Sequence, residues 1–113
     1  MNSLHEFQRE VGGWADQTFP DSTPYSIICH LQEEAHELRF VIDTALRNYD
    51  TVDESGLQGE AADCLLLLLH LAHKRGFDLL RVARQKHDLN SGRTWETDAG
   101  EKGYWKHVEP SCG

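Results

Sequence analysis

Basic residues and long apolar runs are scarce in this sequence of 113 residues. Lysine and arginine number 11 against 19 aspartates and glutamates, which gives a net charge of −8. A chain this acidic repels a phosphate backbone, so no nucleic-acid polymer is expected as a partner. The longest apolar stretch, Cys64 to Leu69, is far shorter than the ~20 residues that span a bilayer, and no segment is typical of a secretion signal. The sequence therefore predicts a cytoplasmic protein with no membrane partner.

Cysteine pairs and alternating apolar residues are also missing. Cys29, Cys64 and Cys112 are widely spaced and form no CxxC pair, a pattern typical of neither a disulfide framework nor a zinc site. No segment alternates apolar and polar residues with period two, so no sheet is expected. The length fits a single domain over residues 1–113, and a domain this small gains from oligomerisation.

Capping residues, prolines and glycines instead divide the sequence into four predicted helices. Ser3, Thr23 before Pro24, and Asp78 are the predicted N-caps of the first, second and fourth helices, and Gly76 is the predicted end of the third. The predicted spans run from Leu4 to before Pro20, from Tyr25 to Arg47, from Leu57 to Arg75, and from Leu79 to about Asn90. Residues 48–59 form a polar connection. Residues from about 93 onward mix aromatic residues with glycine and charge, and irregular structure is expected there.

The second and third helices differ in how much apolar surface they carry. The second has one apolar stripe, made of Ile27, Ile28, Leu31, Ala35, Leu38, Val41, Ile42 and Ala45. The third is apolar around almost its whole circumference from Ala61 to Ala72. Such a helix must be covered on all sides. Because three other helices barely suffice, part of the third helix is expected to pack against another subunit.

Two pairs of acidic residues carry the main chemical signal. Glu34 with Glu37, and Glu60 with Asp63, stand three residues apart, so each pair shares one helix face. Acids on helices are usually solvated, but here Glu34 borders the apolar stripe and Glu60 opens the apolar helix. Four clustered carboxylates repel one another unless a hard cation binds between them. The pattern therefore predicts a site for Mg²⁺, with Mn²⁺ also suitable.

A second cluster is cationic and polar. Lys86 and Asn90 stand four residues apart on the fourth predicted helix, and Arg93 follows its end. An ammonium, an amide and a guanidinium can therefore converge on one anion.

The pattern EExxE over residues 33–37, followed after 22 residues by ExxD over residues 60–63, resembles the signature of the MazG-like all-α nucleoside triphosphate pyrophosphohydrolases. Two further segments are similar to the branch associated with dATP and dGTP hydrolysis. They are HLQEEAHE over residues 30–37 and KxxxNxxRxW over residues 86–95. The resemblance covers about residues 14 to 95.

This resemblance implies a four-helix, MazG-like bundle that assembles as a dimer or tetramer. It also implies hydrolysis of a nucleoside triphosphate, such as dATP, dGTP or an abnormal nucleotide, to the monophosphate and pyrophosphate. The implied metal ligands are Glu34, Glu37, Glu60 and Asp63. The candidates for catalysis are Glu33, which would orient or deprotonate the attacking water, and Glu34. The candidates for substrate binding are His30, Lys86, Asn90, Arg93 and Trp95.

The chain departs from the family pattern in one place. Where many relatives carry a further acid or a tyrosine soon after ExxD, this sequence has Leu66 to Leu69, so the residues that recognise the base stay open. His70 and His73 favour a capping or packing role over metal binding, and Trp14 favours an interface over stacking on a base.

Three other interpretations compete. A di-iron carboxylate bundle uses Glu-x-x-His twice, and only Glu33 and His36 supply it here. Phosphoribosyl-ATP pyrophosphohydrolases have a similar acidic helix pair but do not account for the segment from Lys86 to Trp95. A non-catalytic helical interaction module, with acids that only solubilise the bundle, would show no stabilisation by Mg²⁺.

Overall fold

The computed structural model describes residues 3–96, 100 and 103–108. Within these ranges it contains four helices and no strand: α1 (Leu4–Thr18), α2 (Pro24–Arg47), α3 (Glu54–Arg75) and α4 (Leu79–Ser91). The all-α prediction is confirmed. None of the helices in the described ranges combines the length and the apolar character that crossing a membrane requires. Cys29 and Cys64 are free thiols, and Cys112 lies outside the described residues.

The chain divides into two compact units, Met1–Leu79 and Leu80–Gly113. The first unit contains α1, α2 and α3, and the second contains nearly all of α4 and the segment after it. The assignment of residues 1–113 to a single domain stays a prediction.

The first two helices begin at the predicted capping residues. The Ser3 hydroxyl accepts a hydrogen bond from the Glu6 amide at 3.1 Å. Thr23 and Ser26 form a reciprocal pair, in which each side chain accepts from the other residue's amide, at 3.1 and 2.9 Å. Pro24 occupies the first turn of α2, where its missing N–H costs nothing. These caps fix where α2 starts and so which of its faces meets α3.

The predicted start of α3 at Leu57 is wrong. The helix begins three residues earlier, at Glu54, because the Asp53 carboxylate accepts from the Gly56 amide at 3.1 Å and caps it. The polar residues 54–56, assigned to the connection, form its first turn. Gly76 ends the helix with φ 74°, a left-handed conformation that glycine adopts without a steric penalty.

In the first unit, α3 packs against both α1 and α2. The buried apolar residues come from all three helices: Ala15, Ile27, Ala45, Leu69 and Ala72. Burying a leucine side chain such as Leu69 contributes about 1.5–3 kcal/mol. Ile28 and Ala35, which belong to the apolar stripe of α2, are exposed in this chain. Leu65, Leu66 and Leu68 on α3 are also 37–39 % exposed, so the apolar circumference of α3 is only partly covered by this chain.

The side chain of Gln8 connects α1 to the segment that follows α3 by two hydrogen bonds. Its side chain is buried, with 3 % exposed. Its Nε2 donates to the Phe77 carbonyl at 2.7 Å, and its Oε1 accepts from the Leu79 amide at 3.0 Å. Both ends of the amide are therefore satisfied, as a buried polar group requires.

A second polar contact between α1 and α3 centres on Asp16. Its carboxylate accepts from Lys74 Nζ at 3.0 Å and lies 3.2 Å from His73 Nε2 and 3.7 Å from His70 Nε2. The hydrogen bond from Lys74 is the main reason that the pKa of Asp16 is lowered. Burial is the main reason that the pKa of His70 is lowered. The two histidines therefore pack against α1, in agreement with the role favoured from the sequence.

In the second unit, residues after α4 form one short antiparallel bridge between Trp95 and His107. Backbone hydrogen bonds join Glu96 N to Lys106 O at 3.0 Å and Val108 N to Thr94 O at 2.7 Å. The described part of this segment is otherwise irregular, as predicted.

Gly12 and Gly13 provide a matched test of the packing between α1 and α3. A Cβ at Gly12 would lie 2.1 Å from His73 Cγ, whereas a Cβ at Gly13 meets nothing within 4 Å. Gly12→Ala should therefore lower the free energy of unfolding by about 1–3 kcal/mol through overpacking. Gly13→Ala should raise it by about 0.5–1 kcal/mol, because alanine favours the helix. Urea denaturation measures both, and a Gly12→Ala protein as stable as the wild type would contradict the close approach.

Candidate functional site

Three carboxylates from α2 and α3 meet in the first unit. Glu34 and Glu37 project from one face of α2, and Glu60 faces them from α3. Each offers one carboxylate oxygen, and these oxygens all lie within 4.8 Å of one another. The i, i+3 spacing on α2 and the antiparallel course of α3 produce this carboxylate cluster.

Two oxygens of the carboxylate cluster are buried without a hydrogen-bond partner in the described part of the chain. They are Glu34 Oε2 and Glu60 Oε2. The other Glu34 oxygen, Oε1, lies 3.2 Å from His30 Nε2, one turn earlier on α2. Ionised carboxylates only accept hydrogen bonds, so the two oxygens cannot satisfy each other without a proton or a cation.

This arrangement raises the pKa of Glu60 to about 7. The first cause is a hydrogen bond between protonated Glu60 and Glu34, followed by burial and by the negative charges of Glu37 and Glu34. Negative charge also acts on Cys64, one turn further along α3. Its pKa is raised by burial first and then by Glu34, Glu60 and Asp63. The carboxylate cluster thus carries an excess of negative charge, and no lysine or arginine of the described residues contributes to the pKa shift of Glu60.

A hard divalent cation fits this set of donors. All three groups supply carboxylate oxygens, the ligand type that Mg²⁺ and Mn²⁺ prefer. Glu34 Oε2 and Glu60 Oε2 have no hydrogen-bond partner in the part of the chain that the structure describes. The di-iron interpretation loses support, because His36 is exposed and is not part of the carboxylate cluster.

Two predicted site residues lie beside the cluster rather than within it. Asp63 is exposed and does not join the group of oxygens within 4.8 Å, although its charge acts on Cys64. Glu33 is exposed and adjacent to Glu34 in the chain. The roles of Asp63 as a ligand and of Glu33 in catalysis stay predictions, as does the contact of His30 with substrate.

The predicted substrate-binding residues after α3 belong to the second unit. Arg93 Nη1 donates to Asn90 Oδ1 at 3.0 Å, and Trp95 Nε1 donates to the Asn90 carbonyl at 2.9 Å. Trp95 also meets the His107 ring edge to face, with the centroids 5.9 Å apart. Lys86 is exposed on α4. The structure therefore joins Asn90, Arg93 and Trp95 into one polar group, and their binding of substrate stays a prediction.

No sequence pattern predicted that Asp16, His70, His73 and Lys74 form one cluster. His70, His73 and Lys74 stand at helical spacing on α3, which signals a shared face, but nothing in the sequence pairs that face with Asp16 on α1. Trp14 is 59 % exposed and packs edge to face against Phe19, with the centroids 5.4 Å apart.

Comparison with known proteins gives two phage relatives at the sequence level. The chain is 35 % identical over 106 residues to a dATP/dGTP diphosphohydrolase of Salmonella phage PMBT28, which covers 94 % of this chain but 32 % of that protein. It is 31 % identical over 109 residues to a dATP/dGTP diphosphohydrolase of Cyanophage S-2L, which covers 96 % of this chain and 91 % of that protein. The chain thus spans about a third of the first relative and nearly all of the second. No protein-family model matches the sequence.

A solved structure has the same fold. It is the Cyanophage S-2L MazG-like pyrophosphohydrolase bound to dGDP and three catalytic Mn²⁺ ions per active site. The two chains superpose with a TM-score of 0.74 at 29 % identity, over 97 % of each. With the acidic signature on α2 and α3 and a relative matched along nearly its whole length, the chain belongs to the MazG-like nucleoside triphosphate pyrophosphohydrolase family.

Proposed function

We propose that this protein hydrolyses a deoxynucleoside triphosphate, such as dATP or dGTP, to the monophosphate and pyrophosphate in a reaction that requires Mg²⁺ or Mn²⁺. The observation that carries the proposal is the carboxylate cluster of Glu34, Glu37 and Glu60, whose oxygens lie within 4.8 Å of one another. The names of the two phage relatives and the dGDP and Mn²⁺ in the neighbouring structure support the same substrate class and cofactor.

In this proposal, Glu34, Glu37 and Glu60 hold the divalent ions, and Asp63 is the fourth ligand. Divalent ions bound there would neutralise charge on the triphosphate that otherwise repels both the acids and the attacking water. Glu60 must lose its proton to act as a ligand. His30 is bonded to Glu34 Oε1, so Glu34 Oε2 would be available as the ligand atom.

Glu33 is the proposed base. Its carboxylate takes a proton from water, the water oxygen bonds to the α-phosphorus, and the bond from that phosphorus to the bridging oxygen breaks to release pyrophosphate. Lys86, Asn90 and Arg93 are the proposed ligands of anionic groups of the substrate. The proposed site of action is the cytoplasm.

The protein is also proposed to be a homo-oligomer, either a dimer or a tetramer. The support is the exposure of Leu65, Leu66 and Leu68 on α3, which one chain leaves 37–39 % uncovered. Contiguous exposed apolar surface of this kind is typical of an interface.

Hydrolysis in ¹⁸O-labelled water tests the reaction. Label should appear in the monophosphate, because attack occurs at the α-phosphorus. Glu33→Gln should lower kcat by about 10²–10⁴-fold while Mn²⁺ still raises its melting temperature. Glu6→Gln, which removes an exposed acid from α1, is the control and should keep the wild-type kcat. Label found only in pyrophosphate, or free phosphate released with the diphosphate, would contradict the proposal.

The pKa of Glu60 predicts how metal affinity depends on pH. Below about 7 this carboxyl is protonated and the proton competes with the cation, so the Mn²⁺ affinity should rise through pH 7 and then level off. Calorimetric titration in two buffers of different ionisation enthalpy should show proton release at pH 6. Glu60→Gln should bind Mn²⁺ more than about tenfold more weakly and lose this pH dependence. Asp63→Asn should weaken binding without moving the midpoint, and an unchanged curve in Glu60→Gln would exclude Glu60 as the competing group.

Light scattering tests the assembly. The wild type should have the mass of a dimer or tetramer at low micromolar concentration. Leu65→Gln, on the exposed face of α3, should shift it toward the monomer, whereas Leu46→Gln, at a 70 % exposed position on α2, should not. A stable wild-type monomer would contradict the proposed assembly.

A further inference from the structure

Among the described helices of the first unit, α1 packs against α3 and not against α2. Its buried residues are Gln8, Gly12 and Ala15, of which only Ala15 carries an apolar side chain. Because little apolar surface of α1 is fully buried, polar contacts contribute much of its attachment to α3.

Polar contacts with α3 and with the segment after it follow one face of α1. At the amino-terminal end, His5 Nδ1 lies 3.4 Å from Asp78 Oδ1. One turn later, Gln8 forms its two hydrogen bonds with the segment after α3. At the carboxyl-terminal end lies the Asp16 cluster, which comprises Asp16, His70, His73 and Lys74. A change in the charge of this cluster therefore acts directly on the contact between α1 and α3.

The sequence of α1 makes its helical structure dependent on this contact. Gly12 and Gly13 lie in the middle of its 15 residues, and glycine weakens the interior of a helix. Isolated helices of this length are marginal in water even when their sequence favours the helix. Gly12 also permits the close approach of the His73 ring, which occupies the place of a side chain at position 12. Separation from α3 should therefore unfold α1, so that the helix opens as a local unit.

In the Asp16 cluster, one carboxylate faces three basic side chains. Lys74 Nζ lies 3.0 Å from Asp16 Oδ1, and His70 Nε2 lies 3.7 Å from the same oxygen. His73 Nε2 lies 3.2 Å from the other oxygen. With both histidines neutral, the charges of Asp16 and Lys74 cancel. With both histidines protonated, three positive charges share one negative charge, and they repel one another.

His70 is the histidine of this cluster that burial keeps neutral. It is 5 % exposed, whereas the side chain of His73 is 31 % exposed. Burial is the main reason that the pKa of His70 is lowered. The charge of Asp16 opposes this effect, and the charge of Lys74 adds to it. A proton on His70 is therefore unfavourable while α1 and α3 are packed together.

Two further titratable residues lie near His70 on the helices around it. Glu10 of α1 lines a groove of about 410 Å³ together with His70, and His30 of α2 lines a cavity of about 280 Å³ with it. Both residues are exposed, so water screens their charges. The charges that act on the pKa of His70 come instead from the Asp16 cluster itself.

We propose that α1 (Leu4–Thr18) separates from α3 when acidification protonates His70, while α2 and α3 stay packed. In the separated state the His70 ring loses the cover of α1, and a histidine exposed to water has a pKa of about 6.5. The packed state holds this pKa lower, so it binds fewer protons in the range below that value. The stabilisation of the packed state is therefore fully present above about pH 6.5 and is lost as the pH falls below it. Asp16 acts in the same direction at lower pH, because its pKa is lowered in the packed state.

This separation also removes the groove of about 410 Å³. One wall of the groove belongs to α1, with Phe7, Val11 and Trp14, and α3 supplies Leu66 and Leu67. Loss of the α1 wall turns a concave apolar site into exposed leucine side chains on α3. The groove is thus present in the packed state alone, and any molecule that binds in it stabilises that state.

Hydrogen exchange between about pH 5 and about pH 8 tests the proposal on the wild-type protein. Each rate is divided by the rate of an unstructured peptide at the same pH, which removes the intrinsic effect of pH. Protection of the α1 amides should fall by up to about tenfold per pH unit below about 6.5, the dependence of a single proton. Protection of the α2 amides should not fall. Constant protection of α1, or an equal loss in α1, α2 and α3, overturns the proposal. No substrate is needed, so the result is independent of the proposed function.

Variants at two histidines identify the group that takes up the proton. His70→Gln stays neutral at every pH, so its α1 protection should be the same at both ends of the pH range. His87→Gln, at an exposed position on α4, is the matched control and should keep the wild-type dependence. A wild-type dependence that persists in His70→Gln overturns the role of His70.

An NMR titration of the His70 ring in the wild type is a second measurement, which holds even where His70→Gln does not fold. Its midpoint should lie below about 6.5, the value for an exposed histidine. A midpoint at or above that value overturns the proposal, because the packed state would then bind the proton at least as well as the separated state.

Discussion

Mutual repulsion among Glu34, Glu37 and Glu60 is the constraint on which the site depends. One oxygen of each lies within 4.8 Å of the others, and Glu34 Oε2 and Glu60 Oε2 are buried without a hydrogen-bond partner among the described residues. Separate helices would relieve this repulsion by moving apart. The apolar contacts of α3 with α1 and α2, centred on Leu69 and Ala72, prevent that movement. The free energy of the core therefore holds the acids in an arrangement that a divalent cation stabilises.

The carboxylates on the two sides of α3 lie in opposite electrostatic environments. Toward α1, the carboxylate of Asp16 is compensated by Lys74 at 3.0 Å and by two histidines, and its pKa is lowered. Toward α2, the charged groups that act on Glu60 are the acids Glu34 and Glu37, and its pKa is raised to about 7. The first arrangement stabilises the fold as it stands. The second stabilises the fold only after a proton or a cation has bound, which is the expected cost of a prepared binding site.

Local features of the structure were predictable from the sequence, because local rules govern them. Thr23 and Pro24 signalled the start of α2, Gly76 signalled the end of α3, and the spacing of Glu34 and Glu37 placed both on one helix face. The start of α3 was predicted wrongly because Asp53 lies in a polar segment where a capping acid looks like any other. The meeting of Glu34 with Glu60 was predicted because both residues border apolar helix surface, and the family signature agreed with it. Periodicity alone does not tell which helix faces which.

Contacts that depend on the relative placement of helices were not predictable. Asp16 is 54 residues from His70 in the chain, and no spacing rule connects them. The exposure of Ile28 and Ala35 has the same origin, because the apolar stripe of α2 is wider than the surface that α3 covers. A cavity of about 280 Å³, lined by residues of α2 and α3 that include Ile27, His30 and Leu67, is also a product of this packing.

The absence of a side chain at Gly12 makes room for the ring of His73, which is distant in the chain. The His73 ring occupies the space where a side chain at position 12 would lie, and the same ring contacts Asp16 one turn later on α1. A larger residue at position 12 would displace His73 and so remove one of the partners of Asp16. We therefore expect positions 12 and 73 to be coupled, so that a smaller residue at position 73 relieves the overpacking that a side chain at position 12 introduces.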